Sequence, residues 1–289
     1  MSTLINILGT DRSGSTMLDL MLGNDEKAFS LGEVQAWFRP YREHHFKILC
    51  SCGKDPCPYW EKIQNIPEKA FHKKAFKILN IDYLIDSSKD LNWAIDNNIW
   101  AKKNNIKVFN IVLYKDPVNY IYSIWKRGNK NIDHAVHQYI TYYRRLSQTK
   151  LPYVAIRYEQ LSNETDSILM QICNITGEKY FTDKKSFWTK QHHHAFGSMG
   201  TRKQVEAGTS IIRSKEVFPK EFQELIPGIE EKIKNNLDLN YIHDELLAHD
   251  IKDGYKPNKT NIVKPYWYFV LKVKSQYKRI FPSKWKHVQ

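Results

Sequence analysis

The chain has 289 residues, 42% of them hydrophobic and 13% aromatic, and its formal net charge is +13. A sequence of this length and apolar content can form one large α/β domain or two small ones, which excludes a wholly disordered chain. The positive charge favours an anionic ligand, an acidic polymer or an anionic membrane surface as partner. The first residues lack a secretory signal and no apolar run is long enough to span a bilayer, so we expect a cytoplasmic protein.

Apolar strands and amphipathic helices are predicted to alternate along most of the chain. The predicted strands lie at residues 3–8, 83–89, 107–114 and 152–158. The predicted helices lie at 16–23, 67–80, 90–104 and 131–149, and another begins at Pro117, a favoured first-turn position. After about residue 180 the chain is predicted to be helical or irregular. This order predicts an α/β fold with a mainly parallel, doubly wound sheet and a helical C-terminal region.

The first predicted strand leads into a glycine-bracketed loop, Gly9-Thr-Asp-Arg-Ser-Gly-Ser-Thr16. This loop resembles the phosphate-binding pattern G-x-x-x-x-G-K-[ST], but Ser15 stands where the lysine should be. The backbone N–H groups of residues 13–16, at a helix N-terminus, suit a tetrahedral anion, and Arg12 adds positive charge. A tight glycine turn with an exposed arginine is the structural alternative. We predict a P-loop-like anion site whose ligand does not need the lysine.

Magnesium could be coordinated beside this loop by Asp11 and Asp19. However, no predicted strand ends in an aspartate followed by a catalytic glutamate, and Asp86 fits that role only loosely. An enzyme that uses a nucleoside triphosphate is therefore the weaker hypothesis.

Polar clusters also follow the other predicted strands. They are Asp86–Lys89, Lys115–Pro117 and Tyr158–Glu159. In parallel sheets, ligands collect at the carboxyl ends of the strands. We therefore predict one site, formed where these three loops meet the glycine-bracketed loop at Gly9–Thr16, which we call the opening loop.

Several stretches resemble sulfotransferases that use 3′-phosphoadenosine 5′-phosphosulfate (PAPS). RSGSTMLDLML at 12–22 resembles their 5′-phosphosulfate-binding loop. Their second signature is a strand ending in Arg-Asp-Pro with a serine eight residues after the arginine, and it corresponds here to Lys115-Asp-Pro and Ser123. The motifs LGE at 31–33, CSCGKDPCPYW at 50–60, DSSK at 86–89 and RYEQL at 157–161 resemble a bacterial branch related to the tyrosylprotein sulfotransferases. The resemblance runs from residue 4 to about residue 205.

This resemblance implies two phosphate-binding groups. The 5′-phosphosulfate is expected on the opening loop, whose members are Arg12, Ser13, Gly14, Ser15 and Thr16. The 3′-phosphate is expected on Lys115 and Ser123, with Arg127 nearby. Lys115 replaces the family's arginine, so it keeps the charge but lacks the bidentate fork.

Further donor contacts are implied downstream. Tyr158 matches a position that contacts the donor nucleotide in relatives. The stretch AFGSMGTRK at 195–203 resembles a loop that closes over adenosine and the 3′-phosphate, with Ser198, Arg202 and Lys203 as candidates.

Three catalytic residues are implied by the same resemblance. Glu33, twenty-one residues after Arg12, matches the general base of the tyrosylprotein enzymes, which takes the proton of the acceptor hydroxyl. Lys89 matches the family's catalytic lysine, which stabilises the sulfuryl oxygens or the leaving phosphate, and Arg12 stabilises the leaving bridge oxygen. A glutamate that only stabilises a helix N-terminus is the structural alternative for Glu33. Asp86 is expected to hold its loop.

Three of the four cysteines lie close together in the sequence. They are Cys50, Cys52 and Cys57. A zinc site would need a fourth ligand, which His44 or His45 could supply, but Cys-x-Cys-x4-Cys is not a standard zinc spacing. We favour a structural or redox-sensitive turn and predict that the protein binds no metal. The consecutive histidines at 192–194 are predicted to be solvated, since three in a row cannot share one helix face.

We assign residues 1–254 to a sulfotransferase domain and residues 255–289 to a basic, aromatic tail. The tail has many lysines and aromatic residues and no aspartate or glutamate. Such a segment suits an anionic membrane surface or single-stranded nucleic acid. The structural alternative is a helix that packs its aromatic residues on the domain while its lysines stay in water. We expect peripheral contact with the inner face of the membrane and no nucleic acid partner.

The sequence thus predicts an enzyme that transfers a sulfuryl group from PAPS, its co-substrate, to an acceptor hydroxyl without a metal. The expected acceptor is a glycan or a lipid-linked glycan, and the alternatives within this class are a peptide tyrosine and a small alcohol. Outside this class, the alternatives are a P-loop kinase and a basic module that binds nucleic acid or membrane. Magnesium dependence would favour the kinase.

Overall fold

The computed structural model of the chain describes residues 2–198, 200–201, 203, 208, 216–255 and 261–280. In this part of the chain, five strands form one sheet in the order β2-β3-β1-β4-β5, and all paired strands are parallel. The strands are β1 Thr3–Leu8, β2 Ala28–Gly32, β3 Tyr83–Asp86, β4 Lys107–Tyr114 and β5 Val154–Arg157. The predicted α/β fold with a parallel, doubly wound sheet is confirmed.

The predicted bounds of β1 and β4 agree with the structure, whereas β2 was not predicted. β1 and β2 are both buried at every position, but β2 is one residue shorter and contains serine and glycine, so it lacks the apolar run that marks β1 in the sequence. The strand predicted at 83–89 ends earlier, at Asp86. There the N–H and hydroxyl of Ser88 both donate to the Asp86 carboxylate, and this local turn replaces sheet pairing.

Helices connect the strands and follow the last one. Between the strands lie α1 Ser15–Leu22, α2 Gln35–Phe38, α3 Trp60–Ile63, α4 Phe71–Leu79, α5 Leu91–Lys103, α6 Pro117–Trp125 and α7 Ile132–Thr149. After β5 lie α8 Tyr158–Asn163, α9 Thr165–Thr176, α10 Lys220–Gln223, α11 Ile226–Lys234, α12 Leu237–Leu247 and α13 Tyr266–Ile280. Short 3-10 helices lie at Glu43–Phe46, Glu68–Ala70, Thr182–Lys185, Phe187–Thr189 and Ile251–Asp253.

Polar side chains cap the helices that follow β3 and β4. Asp90 accepts a hydrogen bond from the Trp93 N–H at the start of α5, and Asp116 accepts one from the Val118 N–H at the start of α6. Pro117 occupies the first turn of α6, where its missing N–H costs no hydrogen bond. These caps fix the point at which each loop ends and its helix begins.

The two faces of the sheet bury different side chains of the same strands. In β4, Val112 and Tyr114 pack in one core cluster with α5, α6 and α7, whereas Ile111 and Leu113 pack in a second cluster with α1 and α9. This alternation follows from the two-residue period of a strand. Helices therefore cover both faces, and the loops that follow the strands gather at the carboxyl edge of the sheet.

The C-terminal helix α13 packs on α5 through Tyr268, which is 2% exposed. The Tyr268 hydroxyl donates a 2.5 Å hydrogen bond to Asp96, and the Asn92 amide donates a 3.1 Å bond to the Tyr268 carbonyl. Tyr266 and Phe269 are 84% and 53% exposed. α13 thus buries Tyr268 in the core, packs the half-buried Trp267 against it, and turns Tyr266 and Phe269 to solvent. Within the described ranges, no helix combines the length and the apolar character that a bilayer-spanning segment needs.

Candidate active site

A cleft of about 650 Å³ lies at the carboxyl edge of the sheet, and residues that follow every strand line it. These residues are Arg12 after β1, Glu33 after β2, Lys89 after β3, Lys115 after β4 and Tyr158 after β5. The other predicted site residues in the lining are Gly14, Ser15, Thr16, Ser123, Arg127 and Ser198. The structure therefore brings most of the predicted site residues to one place.

The opening loop ends at the N-terminus of α1. Gly14 precedes α1 with φ = 96°, a left-handed conformation that residues with a side chain rarely adopt. A Cβ atom at this position would lie 2.5 Å from Cδ2 of Tyr158, so the Tyr158 ring packs directly against the loop. Ser15 and Thr16 follow in the first turn, where backbone N–H groups lack acceptors inside a helix and suit an anion.

Arg12 carries the positive charge of this loop. Burial lowers the pKa of Arg12 and the nearby Arg127 lowers it further, whereas Asp11 and Glu33 act in the opposite direction. The Nε atom of Arg12 and the hydroxyl of Ser13 are buried and make no hydrogen bond to any other described residue. Such a buried polar group costs about 1–3 kcal/mol when it is left without a partner. A bound anion would provide an acceptor and reduce the repulsion between the two guanidinium groups.

A second cationic group lies where β4 meets α6. The Lys115 side chain is 7% exposed, and its Nζ atom lies 4.4 Å from the centre of the Tyr158 ring. Burial lowers the pKa of Lys115, and the carboxylate of Glu216, 3.7 Å away, partly reverses this effect. Ser123 of α6 and Arg127, which follows α6, line the same cleft. Lys115 is thus a buried cation between an aromatic ring and a carboxylate.

Glu33 and Lys89 form an ion pair, with Nζ of Lys89 2.6 Å from Oε1 of Glu33. The backbone of Glu33 is anchored, since its N–H donates a 3.0 Å hydrogen bond to the Ala195 carbonyl. The Lys89 carbonyl accepts a 2.8 Å bond from the Tyr142 hydroxyl, which itself accepts a 2.8 Å bond from the Gly9 N–H. Tyr142 was not predicted as a site residue. Its hydroxyl links the loop that contains Lys89 to the opening loop.

Two buried carboxylates support these loops. Asp86 accepts hydrogen bonds from the Trp93 indole at 2.6 Å and from the Ser88 N–H at 3.0 Å, so it holds its loop, as predicted. Asp19 accepts a 2.6 Å bond from the Ser87 hydroxyl, and burial raises the pKa of Asp19 to about 7. Neither carboxylate is among the residues that line the cleft.

The remaining predicted positions differ in their placement. The Ser13 side chain is fully buried outside the cleft lining, and its N–H donates a 3.3 Å bond to the Thr10 carbonyl. The N–H of Ser198 donates a 3.1 Å hydrogen bond to the Thr16 hydroxyl, which joins the segment that begins at Ala195 to the opening loop. Lys203 is exposed and lies outside the cleft lining. Arg202 lies outside the described residues.

The prediction of solvated histidines at 192–194 is wrong for His192 and His194. These residues are 5% and 1% exposed. The reason is that the following residue, Ala195, forms β-bridges with both Gly32 and Cys50, which draws the segment into the fold. Burial lowers the pKa of His192 to about 4, so this imidazole is neutral at physiological pH.

Several residues that line the cleft were not predicted as parts of this site. They include Tyr41, Arg42, Leu49, Lys126 and Glu216. Lys126 adjoins Arg127 in the chain and could have been found from that position. Arg42 and Glu216 come from segments without a motif, so the sequence carries no local signal for them.

No protein-family model and no curated protein matches the sequence. Among solved structures, the chain is similar to a sulfotransferase domain from the curacin biosynthetic pathway, with 17% identity and a TM-score of 0.52 over 89% of this chain and 99% of that one. A sulfotransferase domain from the Synechococcus PCC 7002 olefin synthase has 18% identity and a TM-score of 0.49 over 82% and 96%. Mouse sulfotransferase SULT7A1 complexed with PAP has 9% identity and a TM-score of 0.42 over 86% and 89%.

Proposed function

From the sulfotransferase fold of this chain, we propose that it transfers a sulfuryl group from PAPS to an acceptor hydroxyl. One observation carries the proposal: every strand of the sheet leads into a single cleft, whose lining includes two separate cationic groups and the Glu33 carboxylate. The first cationic group is Arg12 in the opening loop, and the second is Lys115 with Arg127. PAPS is anionic at both its 5′ and its 3′ position, and two separate cationic groups match this pattern.

The opening loop supports binding of the 5′-phosphosulfate. Arg12 offers a buried Nε donor that no described residue satisfies, and the N-terminus of α1 adds backbone N–H groups. Ser15 replaces the lysine that reaches the β- and γ-phosphates of a triphosphate in a P-loop. The loop therefore favours a shorter anion over a nucleoside triphosphate.

The second cationic group, Lys115 with Arg127, supports binding of the 3′-phosphate. Lys115 has little contact with solvent, so its attraction to a phosphate is weakly screened. Arg127 lies close enough to Arg12 to lower the pKa of Arg12. The cationic group at Arg12 and the one at Lys115 and Arg127 therefore line the same cleft, where one ligand can contact both. The Tyr158 ring packs against Gly14 on one side and its centre lies 4.4 Å from Nζ of Lys115, so the ring lies between the two proposed phosphate sites.

In the proposed reaction, the acceptor oxygen forms a bond to sulfur, and the bond between sulfur and the bridging 5′-phosphate oxygen breaks. Glu33 accepts the proton of the acceptor hydroxyl. Lys89, which lies 2.6 Å from Glu33, neutralises the charge that grows on the sulfuryl oxygens or the leaving phosphate. Adenosine 3′,5′-bisphosphate (PAP) is released. Positioning and charge stabilisation dominate such transfers, and the anchored Glu33 backbone and the Tyr142 bridge provide the positioning.

We further propose that the acceptor is a glycan or a lipid-linked glycan. Tyr41, which is 44% exposed, lines the cleft with Glu33 and offers aromatic surface on which a sugar ring can pack. Burial and the charge of Glu33 raise the pKa of Tyr41, which keeps its hydroxyl protonated and able to donate a hydrogen bond. Tyr266 and Phe269 of α13 are exposed, which supports contact with an anionic membrane that carries a lipid-linked acceptor.

Calorimetry with PAP and with ATP tests the proposed donor. Without added magnesium, PAP is expected to bind the wild-type chain, and ATP is expected to bind more weakly whether or not magnesium is present. No binding of PAP would overturn the proposal, and tight binding of ATP only with magnesium would favour a kinase.

A further inference from the structure

Three cysteines of the segment between α2 and α3 lie beside a histidine from a distant part of the chain. One ligand atom from each of Cys50, Cys52, Cys57 and His193 lies within 4.8 Å of the others. Nδ1 of His193 is 3.4 Å from Sγ of Cys57 and 4.0 Å from Sγ of Cys50. None of these cysteines forms a disulfide. The fold therefore gathers three sulfurs and one imidazole nitrogen at one point.

We propose that these four side chains bind one zinc ion, contrary to the metal-free protein that the sequence predicts. Zinc–ligand bonds of about 2.3 Å to sulfur and about 2.0 Å to nitrogen, at tetrahedral angles, place sulfur and nitrogen roughly 3.6 Å apart. The two observed sulfur–nitrogen distances, 3.4 and 4.0 Å, lie on either side of this value. Binding would release the three thiol protons to solvent, and Nδ1 of a neutral imidazole would supply the fourth electron pair.

Four protein ligands leave no position for water or substrate, so the site has the composition of a structural zinc centre rather than a catalytic one. The sequence could not indicate it, because His193 lies 136 residues from Cys57 and does not complete a local motif. The histidines weighed as fourth ligands, His44 and His45, line the cleft instead.

The surroundings hold this arrangement in place. The Trp60 indole donates a 2.6 Å hydrogen bond to the His193 carbonyl, and the Tyr59 ring centre lies 4.2 Å from the His193 ring centre. The Cys52 N–H points at the sulfur of Cys50 across 3.5 Å. These contacts orient both the imidazole and one sulfur toward a common centre.

A redox disulfide is the main alternative. A disulfide joins two sulfurs about 2.0 Å apart, and it gives no role to the third cysteine or to the histidine. Here the Nδ1 atom of His193 lies near two of the sulfurs, and the indole of Trp60 fixes the histidine backbone. The fourth ligand therefore favours a metal over a disulfide.

A zinc ion here would stabilise one wall of the cleft. Two residues after His193, the carbonyl of Ala195 accepts the backbone hydrogen bond of Glu33 at 3.0 Å. Further along, the N–H of Ser198 donates to the Thr16 hydroxyl at 3.1 Å. The metal would thus anchor a segment that touches both the proposed base and the opening loop, and its role would be positioning.

Elemental analysis of the full chain, produced in zinc-containing medium and purified without chelator, tests the proposal. We expect about one zinc per chain in the wild type. Cys57→Ser and His193→Ala are expected to lose most of that zinc. Cys173→Ala and His243→Ala change the same residue types outside the cluster and are expected to keep it. A zinc-free wild type, or equal zinc in all four variants, would overturn the proposal.

Cobalt substitution provides a readout that does not require the variants to fold. Co²⁺ added to zinc-depleted wild-type chain is expected to give the strong visible absorption of tetrahedral cobalt with sulfur-to-metal charge transfer. One equivalent of zinc is expected to abolish that absorption. The weak absorption spectrum of octahedral cobalt would overturn the proposal. So would a disulfide between two of the three cysteines in protein purified in reducing buffer. Neither measurement depends on sulfuryl transfer, so the outcome is independent of the proposed function.

Discussion

Replacement of Lys115 by methionine isolates the proposed 3′-phosphate site. Methionine keeps an unbranched apolar chain against the Tyr158 ring and removes only the charged end, 4.4 Å from the ring centre. Glu216 retains Lys126 as a partner at 3.1 Å, so the change does not leave that carboxylate without a cation. The perturbation is therefore confined to one positive charge in the cleft.

The size of the effect follows from the burial of Lys115. A charge-assisted hydrogen bond contributes about 1.5–3 kcal/mol, and a side chain that is 7% exposed is poorly screened. Arg127 remains in the cleft and retains part of the attraction. We expect a loss of about 2 kcal/mol for PAP, which corresponds to roughly 30-fold weaker binding. Adenosine 5′-monophosphate lacks the 3′-phosphate, so its affinity should change less than about threefold.

Calorimetry of wild type and Lys115→Met with both nucleotides measures this difference. Lys126→Met, at a side chain that is 34% exposed, is the matched control and should weaken PAP less. Since burial lowers the pKa of Lys115, the preference for PAP should decline as pH rises toward that lowered pKa, and the variant should not show the decline. Equal losses for both nucleotides, or no loss for PAP, would refute the assignment of Lys115 to the 3′-phosphate.

Three further predictions concern the base, the buried carboxylate and the tail. Glu33→Gln should retain PAP binding and lose about a hundredfold or more of turnover, and near-normal turnover would remove Glu33 from the mechanism. Burial raises the pKa of Asp19 from 3.8 to about 7, so ionising it destabilises the fold as pH rises between these values. In denaturant melts, the free energy of unfolding of Asp19→Asn should therefore rise by ~3 kcal/mol relative to that of the wild type between pH 5 and pH 8. Asp253→Asn, at an exposed position, should show no such rise. A difference between Asp19→Asn and wild type that stays constant with pH would contradict this reasoning. Tyr268→Ala should lose about 3–5 kcal/mol of stability, whereas Phe269→Ala should leave stability unchanged and weaken co-sedimentation with anionic liposomes. If neither the intact chain nor the variants sediment, the membrane proposal fails.

The parts of the fold that the sequence predicts are those whose signals are local. β4 is a mostly apolar run that ends at Tyr114, just before Lys115, and Pro117 marks the start of the next helix, so both bounds can be read from neighbouring residues. The short, fully buried strand at Ala28–Gly32 has no such alternation and was missed. The prediction of Glu33 as a site residue rests on a motif rather than on recognition of the strand that precedes it.

Contacts between distant segments could not be predicted from one sequence. The pairing of Glu33 with Lys89 spans 56 residues, and the bond from the Gly9 N–H to Tyr142 spans 133. The approach of His193 to the cysteines depends on β-bridges that only the folded chain forms. In each case one sequence does not show which distant residue is the partner, and the chemistry arises from where the fold places the two.

Transfer of radiolabelled sulfur from PAPS to fractionated cell lysate, including glycan and lipid fractions, tests the central claim most directly. We predict that the wild-type chain labels an acceptor fraction without added magnesium, releases one PAP for each sulfuryl group transferred, and loses this activity with Glu33→Gln. Failure to label any fraction or to form PAP, together with magnesium-dependent transfer of phosphate from ATP, would contradict the account.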